Sequence, residues 1–294
     1  MKNMNDIKLF GRLYDCKVNF AAKKDGTPVQ NDDGDTALTG RVELEINANG
    51  NTIIAEYFAY PKWPSGKVNS TYNMLKGMMD GNFVTVAGAA ENGGEPEWVS
   101  LVGSVDVNYF VSKQTKELAR SLKIRGSFIN DNKKKEYSAI WTADTIITHV
   151  EHVDADEERE LPAYIRLDGY ISDYRENLSE VSFQVRSDDA MNKLPVSEAS
   201  PDAPFYTMLR GAITFASRVV KSTDAFGDEV ENEYENKIWE VTRYALEPYD
   251  FFDEDILGKA LFDVKVKELA TKKQEVLDGG GGTAAGEKKP ELNF

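Results

Sequence analysis

Apolar and polar residues alternate along much of the first half of the chain, a pattern typical of half-buried β-strands. The alternation is clearest in IKLFGRLYDCKVNF at 7–20, TGRVELEI at 39–46 and NTIIAEYFAY at 51–60. The Asn-Gly pair at 49–50 favours a tight turn, so the last two segments are predicted to form a hairpin.

The next segments complete a recognisable order of elements. YNMLKGMMD at 72–80 is predicted to be a short helix, and FVTVAGAA at 83–90 and WVSLVGSVDVNYFV at 98–111 are predicted to be strands. Three strands, a helix and two further strands are the order expected of an OB-fold, a small Greek-key barrel.

Two phrases of the first half recur in the second half. IKLFGRL at 7–13 is echoed by IRLDGYI at 165–171, and YNMLKG at 72–77 is echoed by YTMLRG at 206–211. A diverged repeat would place a second barrel here, with a helix at 206–211 like the helix at 72–77.

The sequence therefore predicts a mainly β protein with two tandem OB-fold-like barrels, each with a short helix, followed by a C-terminal helix and a flexible tail. Acidic residues at the start of 253–278 and lysines near its end suit a helix macrodipole, and four glycines open the tail. The predicted limits are a first barrel at 1–150, an acidic linker at 151–160, a second barrel at 161–252, the helix at 253–278 and the tail at 279–294.

The amino-acid composition is that of a soluble protein. The chain has 294 residues, of which 41% are hydrophobic, and no apolar run approaches the roughly 20 residues that cross a bilayer. The N-terminal segment lacks a signal-peptide pattern, and the single Cys16 cannot form an internal disulfide. We therefore expect a cytoplasmic protein.

Charge is distributed unevenly between the two halves. The net charge is −15, yet residues 1–150 hold 18 basic and 18 acidic residues, whereas residues 151–294 hold 17 basic and 32 acidic residues. The acidic excess thus lies in the second half, and the first half is the better candidate for contact with phosphate groups.

Basic and aromatic residues are interleaved from 109 to 141. Cations that follow a phosphate backbone, with rings between them that stack on bases, are what a single-strand groove requires. A short helix with a solvated basic face and a hairpin loop with lysines in water would give the same composition. A second aromatic and basic set lies on or beside the first three predicted strands, on the face by which OB-folds bind single strands or oligosaccharides. The two sets together give the predicted nucleic-acid contacts: Arg12, Tyr14, Tyr60, Lys62, Trp63, Lys67, Lys113, Lys116, Arg120, Lys123, Arg125, Lys133, Lys134, Lys135 and Trp141.

Catalytic and metal-binding motifs are not found. The chain has no phosphate-binding glycine loop, no dinucleotide fingerprint and no nucleophile-elbow motif. His149 and His152 would lie on opposite faces of a strand, and no cysteine cluster supports them as metal ligands. We therefore predict a protein that is not an enzyme and has no metal or cofactor.

The pattern IKLFGRL, TGRVELEI and YNMLKG resembles replication-associated single-stranded DNA-binding proteins of tailed phages that infect Gram-positive bacteria. A basic barrel, an acidic C-terminal region and a flexible tail are also similar to bacterial and phage single-stranded DNA-binding proteins in general. In those families an acidic tail recruits replication and repair proteins. Pro290 and Phe294 match the end of such tails, whereas Lys288 and Lys289 stand where aspartates are expected.

The resemblance implies non-enzymatic binding of single-stranded DNA in phage replication or recombination, within the host cytoplasm. It also implies contact with replication or recombination proteins through the acidic C-terminal region. Two alternatives stay open at this point: a virion-associated β-barrel protein, and an acidic DNA mimic that inhibits a nucleic-acid-binding partner.

Overall fold

Strands make up most of the part of the chain that the structure describes. The computed structural model describes residues 4–156, 162–173, 175–193, 199–223, 229–245 and 258–279. The strands are β1 (Asn5–Phe20), β2 (Leu38–Glu45), β3 (Thr52–Ala59), β4 (Trp98–Val111), β5 (Leu118–Asp131), β6 (Ser138–Val153), β7 (Tyr164–Ser172), β8 (Leu178–Val185), β9 (Phe205–Thr223) and β10 (Glu229–Tyr244). The helices are α1 (Ser70–Met79), α2 (Val86–Asn92), α3 (Asp188–Lys193) and α4 (Lys259–Asp278). Within the described ranges, no helix has both the length and the apolar character needed to cross a membrane.

The first five strands close into a barrel. Their hydrogen-bonded order is β2-β3-β5-β4-β1, and β1 returns to pair with β2. β3 and β5 run parallel at Ala55 and Ile124, whereas the other pairs in this barrel are antiparallel. With α1 between β3 and β4, this is the OB-fold order of strands. Apolar side chains of alternating positions, such as Leu9, Leu44 and Leu101, fill the interior without exposed surface.

The last five strands close in the same way. Their order is β6-β7-β8-β10-β9, with β9 returning to β6, and β8 runs parallel to β10 at Gln184 and Glu240. The short helix α3 lies between β8 and β9, as α1 lies between β3 and β4. The predicted fold, mainly β with two OB-fold-like barrels that each carry a short helix, is confirmed.

The two barrels correspond residue by residue along their strands. A register shift lies between Leu13 and Asp15 of β1, and its counterpart lies between Ile147 and His149 of β6. Each barrel also has a glycine that lies against the backbone of the neighbouring strand. In the first barrel, a Cβ added at Gly103 would lie 2.3 Å from the Arg125 carbonyl oxygen. A Cβ at Gly211 would lie 1.9 Å from the carbonyl oxygen of Glu240 in the same way. These landmarks make Arg125 and Glu240 equivalent positions.

The repeated phrases of the sequence do not mark this structural repeat. YNMLKG lies in α1, where Asn69 caps the helix and Leu75 and Met78 are buried. YTMLRG lies in β9 instead, so the predicted helix at 206–211 is wrong. The reason is that β9 pairs with β6 on one side and β10 on the other along this stretch, which satisfies its backbone groups in a sheet.

Two other predicted elements also differ. IRLDGYI lies in β7, the second strand of its barrel, because β6 already supplies the first strand. FVTVAGAA is not a strand; its second half begins α2, whose N-cap Thr85 accepts a hydrogen bond from the Gly88 amide.

The barrels are joined by backbone pairing and by the C-terminal helix. β1 pairs with β6 from Asn5 opposite Ala143 to Phe10 opposite Ser138, so all ten strands belong to one sheet. The predicted C-terminal helix is present as α4, which buries Phe262 and Leu269 and contacts β4, β5 and β8. We keep the division of the chain into two units as a proposal, with β6 rather than 161 as the start of the second barrel. The predicted tail lies outside the described residues, apart from Gly279.

Candidate nucleic-acid interface

The outer face of the first barrel carries a row of polar residues that crosses four strands. Lys17 of β1 lies opposite Arg41 of β2, Arg41 lies opposite Glu56 of β3, and Glu56 lies beside Arg125 of β5. Because directly opposed residues of neighbouring strands point to the same face, three basic side chains and one carboxylate line up across this face.

Carboxylates bridge these cations. Glu56 lies 3.5 Å from Arg41 and 3.3 Å from Lys123 between nitrogen and oxygen atoms. Asp106 of β4 lies 3.7 Å from Lys123 and 3.5 Å from Arg125. Exposed ion pairs of this kind contribute only about 0–1 kcal/mol each, so a phosphate group can replace a carboxylate partner at little cost.

Aromatic rings lie at one end of this face. Phe58 of β3 is 49% exposed and Phe128 of β5 is 45% exposed, although both belong to strands. The Phe58 and Tyr60 rings meet edge-on with centroids 5.3 Å apart, and the Trp63 and Phe128 centroids are 5.6 Å apart. We call Phe58, Tyr60, Trp63 and Phe128 the ring patch. Large exposed rings next to cations form a surface on which bases can stack.

A small hairpin after β3 holds Tyr60, Lys62, Trp63 and Lys67 beside the strands. The Trp63 amide donates a hydrogen bond to the Lys67 carbonyl at 2.8 Å, and the turn is closed by Gly66 at φ 78°. The Asn69 side chain, which also caps α1, donates to the Tyr60 carbonyl at 3.0 Å. The helix start therefore fixes the hairpin that presents Trp63.

The loop between β1 and β2 contacts this hairpin. Lys62 lies 3.7 Å from Asp35 of that loop. Burial, and to a smaller extent the charge of Asp32, raises the pKa of the Tyr60 hydroxyl above its usual value. Tyr60 thus stays a neutral ring over the physiological pH range.

The structure brings together seven of the predicted contacts on or beside this face. Lys123 and Arg125 lie on the outer side of β5, next to β3. Tyr14 lies in the irregular stretch of β1 and is exposed. The other four are the hairpin residues Tyr60, Lys62, Trp63 and Lys67. Whether each one touches nucleic acid stays a prediction.

Arg12 has a structural partner. Its guanidinium donates to the carboxylate of Glu45, which is only 2% exposed, and the Tyr137 hydroxyl donates to the same carboxylate at 2.9 Å. The hydrogen bond from Arg12 to Glu45 raises the pKa of Arg12. Arg12 therefore compensates a buried charge, and its loss would leave that charge without its cationic partner.

Arg120 faces away from the other bases of β5. It precedes Lys123 and Arg125 by odd numbers of positions, which places it on the opposite side of the strand. Its guanidinium lies 3.1 Å from Glu180 and 3.9 Å from Asp168, both of the second barrel. Arg120 links the barrels.

The remaining predicted lysines lie beyond the two ends of β5. Lys113 and Lys116 are exposed in the loop before β5, and Lys116 has a φ of 61°. Lys133, Lys134 and Lys135 are exposed in the turn after β5, where Lys135 pairs with Glu95 at 2.7 Å. These two groups of lysines lie beyond opposite ends of β5 and are not part of the ring patch.

The predicted contact at Trp141 is wrong. Its side chain has no exposed surface, its ring stacks on Phe183 at 4.4 Å, and its indole nitrogen donates to the Ala212 carbonyl at 3.2 Å. Trp141 occupies the interior of the second barrel and packs against Gly211. Any residue with a Cβ at position 211 would place that atom 2.4 Å from the indole ring. A side chain enclosed in this way cannot stack on a base.

The predicted contacts leave out four residues that the geometry favours: Lys17, Arg41, Phe58 and Phe128. Three of them, Lys17, Phe58 and Phe128, belong to the wider aromatic and basic sets from which the contacts were chosen. The signal for Phe58 was the alternation of β3, since Tyr57 is 3% exposed and its neighbour must then point outward. Lys17 and Arg41 could be recognised only from the strand register, which aligns them with Arg125 across the face.

The described residues show no cluster of potential metal ligands. Across the described ranges, no group of three His, Cys, Asp or Glu side chains is placed to hold a metal ion. His149 and His152 both lie on β6, which extends to Val153 and so includes the first three residues of the predicted acidic linker.

Family membership follows from a match over most of the chain. A sequence model of the YorF family matches residues 5–273. The chain belongs to the YorF family. The match to YorF spans the strands of both barrels and most of α4. No curated protein matches the chain.

Solved structures provide distant resemblances. The wild-type single-stranded DNA-binding protein of Thermus aquaticus is 10% identical, with a TM-score of 0.45, 85% of this chain covered and 96% of that chain. Its R190A variant lacking residues 228–252 gives the same identity and TM-score, with 86% and 98% covered. A Replication Protein A heterotrimer bound to single-stranded DNA is 9% identical, with a TM-score of 0.20, 93% of this chain covered and 70% of that chain.

Proposed function

We propose that this protein binds single-stranded DNA, without catalysis, on the outer face of its first barrel. The observation that carries the proposal is the ring patch with its neighbouring cations. Two of its rings, Phe58 and Phe128, are about half exposed and project from adjacent strands. Unpaired bases have free faces that can stack on such rings, whereas the bases of a duplex are already stacked on each other.

The cations beside the ring patch are suited to exchange partners. Arg41 and Arg125 keep 68% and 60% of their side-chain surface exposed while they pair with Glu56 and Asp106. A phosphate backbone that crosses the strands would take over these contacts and release counterions, which makes binding depend on salt. Little sequence preference is expected, because stacking and phosphate contacts do not read base edges.

The biological setting is part of the proposal. The sequence resembles single-stranded DNA-binding proteins of phage replication, so we place the protein in replication or recombination of phage DNA in the host cytoplasm. Its acidic C-terminal region is proposed to contact replication or recombination proteins.

Fluorescence anisotropy tests the binding proposal. Labelled oligo-dT, a duplex of equal length and oligo-U are titrated with the protein at two salt concentrations. Oligo-dT should bind most tightly, and its affinity should fall as salt rises. If the protein ignores oligo-dT at low salt, or prefers the duplex, the proposal is wrong.

A further inference from the structure

The second barrel has a different set of side chains at the positions of the ring patch. Because Glu240 and Arg125 are equivalent, their partners Gln184 and Glu56 are equivalent too. Arg186 follows Gln184 by two positions, as Phe58 follows Glu56, so Arg186 stands at the position of Phe58. Arg243 stands at the position of Phe128, at the matching register shift. Two exposed rings of the first barrel are thus replaced by two guanidinium groups.

A third arginine adjoins this pair. Arg210 of β9 lies directly opposite Arg243 of β10, at the position that Val102 occupies opposite Phe128. Both side chains are exposed. Like charges directly opposite each other on adjacent strands are destabilising, so this pair costs stability unless an anion lies between the two groups.

These arginines differ in their surroundings from several basic residues of the first barrel. Lys62, Arg41, Lys123, Arg125 and Lys135 each have a carboxylate within ion-pair distance. In the part of the chain that the structure describes, Arg186, Arg210 and Arg243 form no ion pair. The Arg186 guanidinium instead lies 5.4 Å from the centroid of the Tyr164 ring and donates from Nε to the Gln184 side chain at 2.9 Å. These contacts orient the group without neutralising it.

We propose that Arg186, Arg210 and Arg243 form a phosphate-binding subsite on the second barrel. Guanidinium groups bind phosphate oxygens through paired hydrogen bonds, and the strand register places three of them on neighbouring segments: just after β8, on β9 and on β10. The subsite rests on the proposed function: a single strand that stacks on the first barrel continues to the second barrel, where its backbone is held by charge rather than by stacking. The acidic excess of the second half of the sequence hid this subsite, because the arginines come together only through strand register.

Oligonucleotide length separates the two barrels experimentally. One OB barrel covers roughly 4–16 nucleotides, so an oligo-dT of about 8 nucleotides occupies the first barrel, and one of about 30 reaches both. The test variant is Arg210→Gln/Arg243→Gln. The control is Lys267→Gln/Lys272→Gln on exposed positions of α4, which removes the same charge elsewhere on the molecule.

The long oligonucleotide should bind the arginine variant about tenfold more weakly at 0.1 M salt, and the slope of log K against log salt should fall by about 1.4 for two lost contacts. The short oligonucleotide should bind the arginine variant and the wild type equally, and the control variant should retain the wild-type slope with both. The melting temperature of the arginine variant should stay the same or rise, because a repulsive pair is removed.

Two results would overturn the subsite while leaving the proposed function in place. One is wild-type affinity and slope of the arginine variant with the long oligonucleotide. The other is an equal loss with both lengths, which would indicate a general charge effect. Wild-type protein that binds neither oligonucleotide would instead remove the proposed function, and the subsite with it.

Discussion

The ring of Trp63 and the ring of Phe128 lie with their centroids 5.6 Å apart, although one belongs to the hairpin after β3 and the other to β5. The parallel pairing of β3 with β5 brings them together, and Asn69 holds the hairpin in place. Trp63 is half-buried against Phe128, and Phe128 keeps nearly half of its surface exposed. The pair therefore has a packed side and an open side, as a stacking surface requires.

Replacing Phe128 with Ala tests this stacking surface. The change should weaken oligo-dT binding by roughly 1–3 kcal/mol and leave the salt slope nearly unchanged, because a ring and not a charge is lost. Anisotropy titrations at several salt concentrations measure both quantities. Val264→Ala on α4, another exposed apolar position, is the control and should bind like the wild type. A Phe128→Ala protein with wild-type affinity would exclude stacking at this ring.

Trp141→Ala should lower stability and leave oligo-dT binding unchanged, the opposite of the effect expected for Phe128→Ala. Truncating an enclosed tryptophan typically lowers the free energy of unfolding by about 3–5 kcal/mol, since it leaves a cavity and removes the indole hydrogen bond to the Ala212 carbonyl. Chemical denaturation measures this loss. Folded Trp141→Ala protein should bind oligo-dT as the wild type does, and selective loss of binding with normal stability would contradict the buried placement.

Glu56→Gln together with Asp106→Asn tests the exchange of carboxylate for phosphate. These carboxylates hold Arg41, Lys123 and Arg125, so removing their charge should tighten oligo-dT binding several-fold. Stability should change by no more than about 1 kcal/mol per exposed ion pair lost. Neutralising Glu91 and Glu275, both exposed and away from this face, gives the matched control. Weaker binding in the test variant would show that the carboxylates position the cations rather than compete with phosphate.

Charge reversal at Lys133, Lys134 and Lys135 tests the predicted role of the turn after β5. If all three contact phosphate, the Glu variants should bind oligo-dT more weakly, with a salt slope reduced by about 0.7 for each contact. Reversing Lys259, Lys267 and Lys272 on α4 controls for net charge. Equal effects of the two triple variants would mean that the lysines of the turn affect DNA binding only through the net charge of the protein, without contacting phosphate.

Tyr109 makes stability depend on alkaline pH. Burial raises the pKa of its hydroxyl to about 12, and the hydroxyl accepts a hydrogen bond from the Glu180 amide at 3.0 Å. The folded-state pKa lies above the unfolded value of about 10, so the stability is present below pH 10 and is lost as pH rises towards 12. Denaturant unfolding of Tyr109→Phe should show a shallower decline over this window than the wild type. An unchanged decline would assign the alkaline transition to other groups.

The sequence predicted the class of fold because its strongest signals are local. Alternation identified β1, β2 and β3, since it depends only on neighbouring residues. A helix was also correctly predicted near the C-terminus, although α4 has no acidic residue in its first turn and no basic residue in its last turn. The repeat was misplaced because YNMLKG and YTMLRG share letters but not environments. Asn69 caps the helix that contains YNMLKG. YTMLRG instead lies between two strands, β6 and β10, which complete its backbone hydrogen bonds.

The candidate site could be predicted only in part for a related reason. The hairpin residues near Trp63 are close in sequence, so their grouping was visible. Arg41, Glu56 and Arg125 meet through pairing between distant strands, and no local pattern records that register. Trp141 was misassigned because an aromatic residue beside lysines has the same sequence pattern whether its ring is buried or exposed. Its burial depends on Gly211, which is remote in the chain.

Photocrosslinking tests the central claim most directly. Oligo-dT with bromodeoxyuridine at defined positions is bound to the protein and irradiated, and the crosslinked peptides are identified by mass spectrometry. The account predicts crosslinks at Phe58, Tyr60, Trp63 or Phe128, all lost when Phe58 and Phe128 are replaced with Ala. Crosslinks confined to other surfaces, with this ring patch unmodified, would contradict it.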